Sequence, residues 1–368
     1  MVSKISRLPQ LDFLRGIAIT LVLTRHSHLP VFVTNVGWIG VDLFFVLSGF
    51  LVSGLLFREY KEYGNIKPLR FIIRRGFKIY PLYYIFYLFY LVPIIYTDNF
   101  NLTGFLSDMF FVQNYIWEFG YAYSASWSLA IEEHFYISLA LLLSLIIGYK
   151  NNSKPVPGNQ ILNFSTEKII ISFMSICLLL RIVSNILFPN EQVRNFSMTH
   201  LRIDSLLAGV LVSYIYYFKN KYLKRLFIKY KKNALVVSFL LISFAPFFDA
   251  LSSFFVKTIG FTMLYIAFSI ILIYVLMHEN IQMRLNNFAG SRVINFISKL
   301  GIYSYSIYII HTFINTLISY LHINNPYLEF ALFFAACFFS GKLMTLFIER
   351  YFLRIRDKYF PSRVKSGA

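Results

Sequence analysis

Two residues of the first apolar run are spaced to work together: Arg15 and His26, in LDFLRGIAITLVLTRH at 11–26. Eleven residues apart, they stand ~16 Å from each other along a helix and only ~20° out of register. They therefore share one face, and Gly16 leaves room beside the arginine. Arg25 lies ~100° off that face and can reach outward to lipid headgroups. An imidazole held among apolar side chains is a candidate general base. A carboxylate from another helix would orient it and stabilise its protonated form. Glu132, in SWSLAIEEHFY at 126–136, and Asp42, in GWIGVDLFFVLSGFL at 37–51, are the carboxylates to consider.

Other ionisable residues fall inside apolar runs: Asp12, Glu133, His134, Arg181, Arg202, Asp204 and His311. Charge in a membrane is costly and marks function or helix-to-helix linkage. For Asp42, Arg202, Asp204 and His311 both readings stay open, acceptor binding on one side and structural glue on the other. No serine, cysteine or threonine nucleophile motif stands out, and Ser48 in LSGFL reads as a small packing residue. The two cysteines, Cys177 and Cys337, each lie in an apolar segment, which makes a disulfide or a cysteine-based metal site improbable. No metal is expected.

A second constellation is basic. Arg70, Arg74, Arg75 and Lys78 lead into the third apolar run through GFKIYPLYY. Arg70, Arg74 and Lys78 follow one another at one-turn intervals, giving a stripe along a helix start. Such a stripe is either ordinary anchoring at the cytoplasmic face or a phosphate clamp for a polyanionic cytosolic substrate. Arg15 could extend that clamp inward.

The elements that must position these groups are membrane helices. Of 368 residues, 57% are apolar and only 14% are charged, against about a quarter in a soluble domain. A span needs ~20 mostly apolar residues. Ten such segments can be placed: 9–30, 37–57, 79–97, 127–148, 168–188, 200–218, 234–251, 258–277, 300–320 and 327–348. The first run shows no cleavage site and reads as a retained helix. The stretch 103–117 is interrupted by Asp108 and is expected to lie along the surface or re-enter it. No internal repeat stands out; 150–160 reads as a loop, and the tail PSRVKSGA as disordered. The organisation expected is one transmembrane unit, 1–350, and a short basic cytoplasmic tail, 351–368.

Charge orients the bundle. Bases cluster at Lys4 and Arg7, at 58–78, at Lys150, Lys154 and Lys168, at 219–232, at Arg284, Arg292 and Lys299, and from Arg350 to Lys365. From Ile79 to Tyr149 there is no Lys or Arg at all. Ten spans with both termini in the cytoplasm satisfy the positive-inside rule at every loop. On the same grounds the net charge of +18 points to anionic lipid headgroups and an anionic cytosolic substrate, with nucleic acid set aside. In this arrangement Arg15 sits near the inner end. His26, Asp42 and Glu132 sit within one turn of the same level in the outer third, with Arg202 and Asp204 slightly above. His200 and Asp204, four residues apart, are expected to face the same way.

These residues in this order resemble the acyltransferase 3 family of bacterial membrane acyltransferases. The matching segments are 11–26, 37–51, RRGFKIYPLYY at 74–84, 126–136, RIDSLLAG at 202–209 and SYSIYIIH at 304–311. The resemblance implies a ten-helix bundle that takes an acyl group, commonly acetyl, from cytosolic acyl-coenzyme A. The acyl group goes to a hydroxyl of a carbohydrate or other acceptor, often outside the cytoplasmic membrane. Arg15 and His26 match the family's Arg-x10-His pair. Glu132 matches the carboxylate of its W-S-L-x-x-E motif. Arg75 with Lys78 matches its R-x-x-R, and the lysine keeps the charge while losing the bidentate fork. Some relatives carry a fused extracytoplasmic hydrolase-like domain; none is read here, so the chain is expected to act alone or with a separate partner.

The expected reaction is then O-acyl transfer across the membrane, with O-acetylation of a surface glycan or lipid-linked glycan as the form expected. Arg74, Arg75, Lys78 and Arg15 would hold the donor, with His26 as base or as the acylated group. The rival class is an exporter of an anionic solute. Against it, no Pro or paired Gly interrupts two corresponding spans.

Overall fold

A computed structural model describes residues 8–151 and 164–364. Lys4, Arg7, Lys154 and Lys365, and most of the loop expected at 150–160, lie outside the described residues. Among the described residues the chain is helical throughout and contains no strand. In order the helices are α1 Pro9–Arg25, α2 Val31–Gly37, α3 Ile39–Tyr63, α4 Pro68–Tyr96, α5 Leu102–Met109, α6 Gln113–Ile116, α7 Trp127–Asn151 and α8 Phe164–Leu187. There follow α9 Gln192–Ser197, α10 Ile203–Phe218, α11 Asn220–Ile242, α12 Phe261–Met277, α13 Ile281–Ala289, α14 Ser291–Ser319, α15 Pro326–Met344 and α16 Arg350–Tyr359.

Seven helical segments are long and apolar enough to cross a membrane: Val31–Tyr63, Pro68–Tyr96, Ser124–Ile147, Thr166–Leu187, Val256–Met277, Ser291–Ser319 and Pro326–Tyr359. This is a multi-pass membrane protein. The other three expected spans are realised as helices that are shorter or diluted by charge. The segment 9–30 becomes the 17-residue α1, and 200–218 becomes the 16-residue α10. The segment 234–251 is cut short at Ile242, as the apolar half of α11, whose first half carries six Lys and Arg from Lys221 to Lys232. Large apolar side chains remain exposed along α4, α8 and α11, among them Leu88, Val92, Leu179, Ile186, Phe239 and Leu240, as a surface facing acyl chains requires.

Two helix crossings organise the interior, α1 on α14 and α3 on α10. Both are made by reciprocal glycines. A Cβ on Gly16 would run into the carbonyl of Ile297, and one on Gly301 into the carbonyl of Asp12. Gly49 and Gly209 meet Leu206 and Val46 in the same way across α3 and α10. Small residues at such crossings let backbones touch, which is how helices associate where lipid supplies no hydrophobic drive. Gly16 thus makes room for a neighbouring helix rather than for Arg15.

Three local expectations change. The basic stripe belongs to one continuous helix, because α4 begins at Pro68, eleven residues before the apolar run at 79–97. Gly64, at φ 68°, ends α3 in the left-handed conformation and lets the chain turn into it. The stretch 103–117 folds as the short α5 and α6, and the buried Asp108 carboxylate accepts from the backbone N–H of Tyr121 and Ala122 and from the Tyr87 hydroxyl. The tail is partly held: Arg363 donates to Glu59 and Asn65, and Tyr63 donates to the Arg363 carbonyl.

Candidate active site

One end of α4 opens on a basic vestibule of about 780 Å3. Its cations are Arg58 from α3, Arg70, Arg74, Arg75 and Lys78 from α4, and Arg356 and Arg363 from the C-terminal arm, against the acids Glu59 and Asp357. Arg70 donates to the Pro361 carbonyl at 2.5 Å, Arg74 bonds the Phe360 carbonyl and pairs with Asp357 at 3.1 Å, and Lys78 pairs with Glu349.

Arg75 and Lys78 also line a second, inner chamber of about 130 Å3. There they meet Arg15 from α1, Ser48 from α3, Ser128, Glu132 and Tyr136 from α7, and Ser304, Tyr305 and Tyr308 from α14, with apolar walls from Phe44, Phe45 and Leu51. The two spaces are therefore successive: a wide cationic mouth, then a narrow polar slot inside the bundle. Arg15 donates to Ser304 at 3.0 Å. Among the described residues Arg75 makes no hydrogen bond or ion pair; its guanidinium lies 5.8 Å and 5.5 Å from the Phe71 and Tyr136 ring centroids. Glu132 accepts from the Tyr136 hydroxyl at 2.5 Å, and that oxygen is 2.6 Å from Ser48. Glu133 accepts from Tyr80 at 2.8 Å.

At the far side of the slot lie two histidines. Ser128 and Tyr308 share a hydrogen bond of 2.6 Å, and the Nδ1 of His311 is 2.6 Å from the Tyr308 carbonyl. A carbonyl only accepts, so Nδ1 carries a proton. The other ring nitrogen, Nε2, is buried without a hydrogen-bond partner. The His26 ring, at the C-cap of α1, packs edge-on against His311 with centroids 4.7 Å apart. Arg15 and His26 thus both meet α14, one at Ser304 and the other at His311.

The structure gathers Arg15, Arg75, Lys78 and Glu132 around one chamber and His26 with His311 beyond it. It does not join His26 to Glu132: among the described residues no hydrogen bond links them. Arg74 turns away from the chamber into the outer vestibule. Asp42, Arg202 and Asp204 stand elsewhere, behind Phe45, in two fully buried ion pairs. Arg202 pairs with Asp42 at 3.0 Å, and Arg181 pairs with Asp204 at 2.8 Å. The Arg202 guanidinium lies 3.4 Å from the Phe261 ring centroid, and Arg181 also donates to Thr262. These groups link α3, α8, α10 and α12. The expected alignment of His200 with Asp204 fails because α10 begins only at Ile203. His200 sits in a separate 3-10 turn, exposed and stacked on Tyr115 at 5.7 Å. Arg25 reaches Asp249 at 3.4 Å. Both cysteines are free and buried.

Several participants were not singled out from sequence. Tyr136 could have been, since it lies one turn beyond Glu132 on the same helix face. Ser304 and Tyr308 could have been too, since with His311, already a candidate, they form a stripe at helical spacing within SYSIYIIH. Nothing in the sequence pattern pointed to Glu349, Arg356 or Arg363, whose place depends on how α16 folds back.

The chain is thus a multi-pass helical bundle with a cationic mouth and an inner polar slot, beside which His311 is buried and His26 half-buried. The chain belongs to the acyltransferase 3 family: the family model described as "Acyltransferase domain" matches residues 8–345. A Staphylococcus aureus (strain COL) protein named "Putative O-acetyltransferase" is 29% identical over 228 residues, covering 58% of this chain and 35% of that protein. The peptidoglycan O-acetyltransferase OatA of Listeria monocytogenes is 30% identical over 164 residues, 40% of this chain and 26% of its own. A Bacillus subtilis (strain 168) protein named "Putative peptidoglycan O-acetyltransferase YrhL" is 32% identical over 151 residues, 37% and 24% of the two chains. The matched region thus spans about a third or less of these relatives' length. No solved structure matches.

Proposed function

We propose that this protein is a membrane O-acyltransferase that carries an acetyl group from cytosolic acetyl-CoA to a hydroxyl of a cell-surface glycan. The observation that carries the reading is the succession of spaces. Seven cations against two acids line the vestibule, and two of those cations, Arg75 and Lys78, continue into the slot that holds Arg15 and Glu132. Phosphates favour the mouth, where arginine and lysine donors converge, and a slender thioester arm suits the slot. Arg74, Arg75, Lys78 and Arg15 are the proposed donor contacts. In this reading α1, α10 and α11 also cross the cytoplasmic membrane, making ten spans with both termini cytoplasmic.

In the proposed reaction His26 takes the proton of the acceptor hydroxyl while that oxygen attacks the thioester carbonyl carbon. The tetrahedral intermediate collapses, the carbon–sulfur bond breaks, and the CoA sulfur leaves with the proton returned by His26. His311 backs the imidazole, and its proton on Nδ1 is committed to a carbonyl, which holds the ring in one tautomer. Glu132 balances Arg15 and Arg75 across the slot and acts on the imidazole only at a distance. Asp42, Arg202 and Asp204 serve as helix linkage in this reading, and no metal takes part. The named relatives suggest a cell-wall polymer such as peptidoglycan as acceptor.

His26→Ala in proteoliposomes supplied with acetyl-CoA and a glycan acceptor is the test. Transfer should fall by 10^2- to 10^4-fold with normal insertion and thermal stability; retained transfer overturns the role. Mass spectrometry of cell-wall material from a deletion strain identifies the acceptor through loss of one acetyl mass per repeat.

A further inference from the structure

The family match ends at residue 345, yet one wall of the vestibule comes from beyond it. The α16 helix packs along the start of α4 and carries an unusual contact. The Asp357 carboxylate is gripped by two arginines, Arg74 at 3.1 Å and its own neighbour Arg356, whose Nε and Nη2 both reach it at 2.9 and 3.0 Å. That carboxylate is only half-covered, with 55% of its side chain exposed, whereas the two arginines are 21% and 20% exposed. A surface pair of this kind contributes little stability on its own. Its geometry, an anion held in the planar fork of one guanidinium and capped by a second, is the geometry by which arginines take phosphate.

We propose that Arg74 and Arg356 form a phosphate subsite for the nucleotide end of the acyl-thioester donor, and that Asp357 holds its place until the donor arrives. The inference rests on the donor reading above and extends it to a segment outside the family match. The chain brings its own competitor: a donor phosphate displaces the Asp357 carboxylate, which swings into solvent, and takes over the Arg356 fork and the Arg74 contact. Arg70 and Arg74 meanwhile stay tied to the carbonyls of Pro361 and Phe360, so the wall remains in position during the exchange. The same phosphate chemistry could come from an anionic lipid headgroup, and the test separates the two.

The experiment uses full-length protein in proteoliposomes and two donors, acetyl-CoA and acetyl-pantetheine, which has the thioester arm without nucleotide or phosphate. For wild type, KM should be much lower with acetyl-CoA. R356Q should raise the acetyl-CoA KM about tenfold, the worth of one charge-assisted contact, and narrow the discrimination between donors by the same factor. D357N should do the opposite and lower the acetyl-CoA KM several-fold, because it weakens the competitor. If Asp357 were merely an anchor for α16, D357N would raise KM for both donors, which overturns the proposal; so does an R356Q protein that discriminates like wild type. An R356Q effect that vanishes in vesicles of neutral lipid assigns the subsite to headgroups and also overturns it. A wild type that turns over neither donor defeats the donor reading itself, a different failure from either of these.

Discussion

Two sets of buried charge divide this protein, and their difference separates glue from site. Behind Phe45, Arg202 faces Asp42 and Arg181 faces Asp204, all four side chains wholly buried and each cation within 3.0 Å of its acid. In the slot a few residues away, Arg15 donates to a serine hydroxyl and Arg75 lies against aromatic faces, and among the described residues neither makes an ion pair. Where every charge has its counter-charge, helices are fixed in place. Where cations are left with spare donors beside a cavity, a ligand has something to bind. Intramembrane charge alone does not make that distinction; the presence of a partner does.

Breaking each set should have opposite signatures. The largest effect expected is on transfer: Arg15→Gln, like His26→Ala, should lower acetyl transfer by at least 10^2-fold while the thermal unfolding midpoint in detergent stays near wild type. A fall in both would return Arg15 to the structural set. Next comes Asp42→Asn, which strands a buried arginine and should cost about 3–5 kcal/mol of stability, read as loss of folded protein on heating. Replacing both partners, Asp42→Leu with Arg202→Leu, should recover most of that loss, because an apolar pair of similar volume removes two desolvated charges. If the double variant is no better than the single, Asp42 and Arg202 do more than link helices.

A smaller effect should follow at the α1–α14 crossing that holds Arg15 against Ser304. Gly301→Ala pushes a methyl into the Asp12 carbonyl and should cost about 1–3 kcal/mol, with transfer falling more than stability since the slot is displaced. The smallest change expected is Lys78→Arg. It adds a bidentate fork where the chain has a point charge and should lower the acetyl-CoA KM by a few-fold at most, measured in the same vesicle assay.

Much of this division was visible in the residue pattern, for identifiable reasons. Arg15 and His26 were legible as one face because helical period alone sets it, and both do turn to α14. The stripe from Arg70 to Lys78 was legible because bases at one-turn spacing must line up. What periodicity does not carry is which helix lies opposite. His26 and Glu132 could be assigned similar depths from their distance to span ends, yet His311, not Glu132, packs against the His26 ring. His200 and Asp204 looked like neighbours on one helix face, but α10 starts between them, so His200 stacks on Tyr115 while Asp204 pairs with Arg181. The seven longest apolar runs became helices that need no partner to be recognised. α1 and α10, one residue or two too short to stand out by length, depend on glycine contacts that only the packed bundle reveals.

The central claim is that the cations of the mouth, with Arg15 and Arg75 of the slot, form a donor site. Thermal unfolding of the purified protein with and without acetyl-CoA addresses it most directly. At donor concentrations of 100 times Kd, binding to the folded state is worth about 2.7 kcal/mol. Wild type and His26→Ala should therefore both shift upward by several degrees, and Arg75→Gln should shift little. An Arg75→Gln protein stabilised as strongly as wild type, or a wild type that acetyl-CoA leaves unmoved, would contradict the account.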